Sequence, residues 1–295
     1  MLGMTARTTH PEQTAAVISC LVLLLISGAY AKSSGISFGF TSLWTDTGNA
    51  VRPLAILHLA LALLSCIVSF FVLISRLGSE NPGKVLPPVL AFGLLAASFC
   101  SRGITFTGAG FNLVPPLHAV LGIVGIGVFS AVVAAPHGAE SAEPSDARGI
   151  ALFRIVAGAL LIATTIQVTL GALVRHFGAG LSIPDFPLAM GQVIPPLSSP
   201  FVAVHFAHRV VGMVVVTLAL VTSGVASIDL GEFRILGQLA RGLAALVSLQ
   251  VVLGAYVIWW QRDVAITTAH VIVGAAVFAL AMSLWLRAPG KHVAM

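Results

Sequence analysis

Eight stretches of about 20 apolar residues divide this chain, at roughly 14–33, 54–75, 85–106, 116–135, 150–174, 200–223, 236–260 and 265–286. That is the length at which a helix crosses the hydrocarbon core of a bilayer. In that solvent only helices and closed barrels satisfy their own backbone hydrogen bonds. None of the ten Asp and Glu residues falls well inside a stretch. A chain that is 58% hydrophobic and 8% charged carries more apolar surface than a soluble domain needs. The expected fold class is an all-α integral membrane protein with eight transmembrane helices in a lipid bilayer. A net charge of +5 could suggest a nucleic-acid partner, but the basic residues are scattered among short loops and no such partner is expected. Nine of the fifteen Lys and Arg residues fall on one side, which puts both termini inside a bacterial-type inner membrane. Arg7 and the apolar run from Ala15 are not followed by a convincing cleavage site, so the first helix is read as retained. Cys20, Cys66 and Cys100 lie within three different spans and read as small apolar residues, not as a disulfide framework.

Residues 136–149 form the only long polar, turn-rich stretch, the expected linker between a first four-helix bundle (1–135) and a second (150–295). An even number of spans separates equivalent helices, so the two pseudo-symmetric bundles run parallel. Four intramembrane histidines follow that repeat. His58 and His118 are 60 residues apart, His208 and His270 are 62 apart, and the second pair follows the first by 150 and 152. All four stand near the outer ends of their spans, at broadly similar depth.

A histidine in lipid is costly and usually functional, although a single one is more often structural than a ligand. Two facing imidazoles at matched depth suit the axial positions of a heme, and each pair is expected to face across about one heme diameter. Gly122, Gly212 and Gly274 each stand four positions after a histidine, on the same helix face, and would leave room for a flat macrocycle. Zinc or copper fits less well, because each pair offers two ligands where a closed zinc site takes about four. His205 shares a face with His208, and either could be the ligand; the repeat spacing favours His208. His205 is then free to relay protons or bind a propionate, or is a hydrogen-bonded interfacial residue. Arg209 and Arg175 read as snorkelling cations or as propionate partners, and Asp185 as a turn cap or a heme-handling group.

The stretch before the His208 helix contains Leu170-Gly-Ala-Leu-Val-Arg175, Gly178-Ala-Gly180-Leu and Pro184-Asp185-Phe-Pro187-Leu, followed by His208-Arg209. Here the chain resembles the heme A synthase family, strongly over 170–212, in layout over the rest of the second half, and only in helix count and histidine positions in the first. The resemblance implies two four-helix bundles, each holding a heme near the outer face. It implies oxidation of a methyl group of heme O to the formyl of heme A with molecular oxygen, and a resident heme b that passes electrons. By the same carry-over, His208 and His270 ligate one heme and His58 and His118 the other. An electron donor or heme-delivery protein in the membrane is the expected partner. The sequence departs from the family in its first half. The loop Ser37–Asn49 lacks the Pro-Asp-aromatic-Pro run, and Ala55 stands three before His58, where the family carries a glutamate implicated in the chemistry. His205 occupies the equivalent place in the second half and is the candidate catalytic residue. The alternative is a di-heme b-type membrane cytochrome with no oxygenation chemistry.

Overall fold

Each apolar run becomes one helix, and local chemistry sets several of the ends. The computed structural model describes residues 11–34, 51–79, 82–101, 112–134, 147–228 and 233–288. The helices are α1 (Pro11–Ser33), α2 (Val51–Arg76), α3 (Pro82–Ser101), α4 (Val114–Val133), α5 (Ala147–His176), α6 (Pro200–Ile228), α7 (Arg234–Trp259) and α8 (Val264–Arg287). All eight are long and apolar enough to cross a membrane. Proline in the first turn starts α4, where no intrahelical N–H is needed. Asp263 caps α8 by accepting from the N–H groups of Ala265 and Ile266 at 2.9 and 3.0 Å. The α7–α8 connection is a tight turn in which Gln261 and Arg262 take positive φ. Among the described residues there is no strand, only an isolated bridge between Ala189 and Gln192.

In the first half α1 packs on α2, α2 on α3, α3 on α4 and α4 back on α1. In the second, α5, α6, α7 and α8 close a ring in the same order. The outward faces are apolar, with Phe71, Ile155 and Ile162 65%, 70% and 64% exposed, as lipid-facing surfaces must be. All three cysteines are free. The linker read at 136–149 lies outside the described residues up to 146, and its last three residues belong to α5. Arg7, Arg102, Lys291 and the Ser37–Asn49 loop also lie outside the described residues.

The halves meet chiefly where α4 runs along α8, flanked by α1 on α8 and α4 on α5. At this seam Gly127 faces the buried Phe278 ring. A Cβ on Gly127 would overlap Phe278 Cδ1, so α4 approaches this closely only without a side chain there. Gly127→Leu should therefore cost at least about 2 kcal/mol through overpacking. Thermal unfolding in detergent should show it, and Phe278→Ala should recover part of the loss. At the end of the seam where α4 finishes, Arg287 donates to the carbonyl of Ala134. At the other end of the spans, Arg175 on α5 donates to Ala29 O and Ser33 Oγ on α1.

Candidate functional site

His58, His118, His208 and His270 all fall within the first nine residues of α2, α4, α6 and α8, helices that run in the same direction. Their side chains meet in two pairs across the diagonals of the two rings. The ring centres of His58 and His118 are 6.4 Å apart, and those of His208 and His270 are 6.5 Å apart. With metal–nitrogen bonds of about 2 Å and ring centres roughly 1.1 Å behind the nitrogens, two imidazoles on opposite sides of one ion stand about 6 Å apart. The expected gap of one heme diameter is thus corrected. Two side chains that would hold a flat group between them are separated by its thickness, not by its width. Among the described residues no group of three or more His, Cys, Asp or Glu side chains could hold a metal ion.

Glycines on the neighbouring helices seat three of the four rings, a feature the sequence reading missed. A Cβ at Gly28 on α1 would stand 2.8 Å from His58 Cε1. At Gly171 on α5 it would meet His208 Cε1 at 3.1 Å, and at Gly254 on α7 His270 Cε1 at 3.3 Å. The signal was the recurrence of Gln-x-x-x-Gly at Gln167–Gly171 and Gln250–Gly254, each opposite a His-x-x-x-Gly. The glycines that were singled out, Gly122, Gly212 and Gly274, complete the reciprocal fit. A Cβ there would meet Ser98 Oγ at 3.2 Å, Gln167 Nε2 at 3.2 Å and Gln250 Nε2 at 2.9 Å. The room above them is therefore shared with a polar side chain from the adjacent helix. Gln250 Nε2 donates to the His270 carbonyl at 2.8 Å, and Gln167 Nε2 lies 3.4 Å from His208 Nε2.

A cavity of about 830 Å³ occupies the second half, within the range of small-molecule sites. His205, His208, His270, Gly212, Gly274 and Arg175 line it, and Lys32 and Ile123 bring the first half to its wall. Its apolar lining and single-signed cations suit a large flat apolar ligand with anionic substituents.

The loop between α5 and α6 roofs this cavity with Phe186, Pro187, Ala189, Val193 and Ile194. Gly178 leaves α5 in the left-handed region, at φ 73°. Three residues read above as site groups hold the roof. Arg209 donates to the carbonyls of Ile183 (3.0 Å), Asp185 (2.8 Å) and Leu188 (2.9 Å). His205 Nδ1 accepts from the Ile183 N–H at 3.3 Å. The Asp185 carboxylate accepts from Met190 and Gly191 N–H at 2.6 and 2.8 Å, across a turn whose two residues have φ of 56° and 73°.

Those N–H groups, Gly191 first, hold the Asp185 carboxyl below the usual carboxylate range. A depressed folded value means the stabilisation is present above the unfolded pKa and is lost as pH falls through the folded one. Exchange protection of the Met190 and Gly191 amides should therefore disappear on acidification below the ordinary carboxylate range. In Asp185→Asn it should already be reduced at neutral pH.

The profile of the COX15-CtaA family, "Cytochrome oxidase assembly protein", matches residues 59–282. A heme A synthase of Listeria welshimeri is 26% identical over 285 residues, covering 92% of each chain. One from Beijerinckia indica is 35% identical over 125 residues, 38% of this chain and 34% of the relative. One from Symbiobacterium thermophilum is 44% identical over 61 residues, 21% of this chain and 20% of the relative.

Proposed function

Because the chain belongs to the COX15-CtaA family of cytochrome oxidase assembly proteins, we propose that it is a heme A synthase, an enzyme that oxidises a methyl group of heme O to the formyl of heme A. His58 with His118 and His208 with His270 would each hold a heme, one in each of two bundles, 1–135 and 150–295. The observation that carries this reading is the near-identical spacing of the two imidazole pairs, 6.4 and 6.5 Å, close enough for each pair to hold one metal ion between its rings. Heme b, as the resident group, would supply one-electron redox chemistry. The chain's own part is to orient and shield. Gly28, Gly171 and Gly254 let the rings turn toward each other, and the Arg175 guanidinium, at the cavity wall, would pair with a propionate carboxylate. The roof held by Arg209 and Asp185 keeps water from the second-half cavity.

Proton handling falls to His205. Its Nδ1 takes the Ile183 N–H, so the neutral ring carries its proton on Nε2, and the residue lines the cavity. The enzyme works in a bacterial-type inner membrane with both termini inside. It draws electrons from a donor in that membrane and exchanges heme with a delivery protein there.

One observation favours the second reading, a di-heme b cytochrome. Ala55, buried at 5% exposure one turn before His58, puts a methyl group where the resembled family carries a carboxylate. The deciding experiment is pigment extraction from protein purified out of cells with and without heme O. Heme A appearing only with heme O supports the synthase, and heme B alone in both supports the cytochrome. In the same cells, loss of heme A in His205→Ala with both hemes retained assigns proton handling to His205; unchanged output removes that role.

A further inference from the structure

The two histidine pairs differ in what faces their second ring nitrogen. Ser27 Oγ donates to Leu24 O at 2.9 Å, leaving a lone pair for His58 Nδ1, 2.9 Å away. Ser27 itself is buried, at 3% exposure. The same arrangement recurs across the first ring. Ser101 Oγ donates to Ser98 O at 2.7 Å and lies 3.2 Å from His118 Nδ1, which also reaches Ser98 O at 2.8 Å. In each case the committed hydroxyl proton forces the imidazole to be the donor. Nδ1 carries the ring proton, and Nε2 is left with its lone pair.

The second half lacks these hydroxyls. Ser27 precedes Gly28, the residue packed on His58; Leu170 and Leu253 precede Gly171 and Gly254, the residues packed on His208 and His270. Nδ1 of His208 and Nδ1 of His270 are buried and reach no hydroxyl. The partners beside these rings are the backbone carbonyls of Gln167 and Gln250.

An Nδ1–H that donates to oxygen pushes electron density into the imidazole and makes Nε2 a stronger donor to iron. A stronger axial donor favours the ferric state and lowers the reduction potential. On the proposed bis-histidine ligation, we infer that Ser27 and Ser101 are positioning residues. They set the iron of the first-half site at a lower potential than the same heme has in the second half, where leucines replace them. The asymmetry gives electrons a preferred resting place in the second half.

The test is redox potentiometry on full-length protein from cells that make only heme B, so that both sites hold the same macrocycle. His270→Ala protein, with the first-half heme alone, assigns the two waves. The expected result is two potentials, the lower one in the first half. Ser27→Ala should raise the lower potential by up to a tenfold change in the redox equilibrium, about 59 mV for one electron, and leave the other unmoved. Leu170→Ser, made in the native background, should lower the upper one. The proposal is overturned if the first-half potential is the higher, or if two bis-imidazole hemes are present and Ser27→Ala shifts neither. Absence of bis-imidazole spectra in the native protein would instead overturn the ligation itself, and this inference with it.

Discussion

His270→Ala protein is expected to keep one heme where, on the proposed ligation, the native protein should hold two. His270 pairs only with His208, on the diagonal helix of its own ring, and the seat that fixes its orientation, Gly254, is in the same ring. His58 and His118 draw their serine partners from α1 and α3, so the first-half site keeps its whole framework. Heme-to-protein ratio should fall by about half, and the optical spectrum should retain one bis-imidazole component. Loss of both hemes from a protein that still folds would sink the two-site reading.

Arg209 is the second position where one substitution should have a large effect. Its three hydrogen bonds go to the roof of the cavity, at Ile183, Asp185 and Leu188. Hydrogen bonds from a charged group contribute roughly 1.5–3 kcal/mol each, and they act here as a unit. Arg209→Ala should lower the opening free energy of the loop by on the order of 3 kcal/mol, speeding exchange of the Ser182 and Ala189 amides about 100-fold. Arg209→Lys should recover little, because an ammonium lacks the planar fork that spans three carbonyls. Equal protection in Arg209→Lys and the native protein would mean that only the charge matters.

Much of this was legible in the sequence, and the parts that were not share a physical cause. The eight spans could be read because lipid demands an unbroken apolar length, and all eight helices lie within a few residues of the runs. The histidine pairs could be read because His58, His118, His208 and His270 keep repeat spacing. Gly28, Gly171 and Gly254 were not found, because their role depends on which neighbouring helix presents what at that height. Arg209 and Asp185 were read with the ligand in mind, whereas their hydrogen bonds run to loop backbone. A guanidinium in sequence does not say which acceptor lies within reach. The ring separation was misjudged for a simpler reason, a ligand's width taken in place of its thickness.

The seam between α4 and α8 has a consequence for how the molecule can be made. Each of these helices carries one histidine of its own pair and also grips the other half, through Gly127 against Phe278 and Arg287 against Ala134. Further purchase comes from α1 on α8 and α4 on α5. None of these contacts needs the covalent connection between α4 and α5. Two polypeptides, 1–140 and 141–295, co-expressed in one membrane should therefore find each other and purify together. Gly127→Leu should weaken that association more than it weakens the single chain, because a tether keeps a loosened partner close at hand.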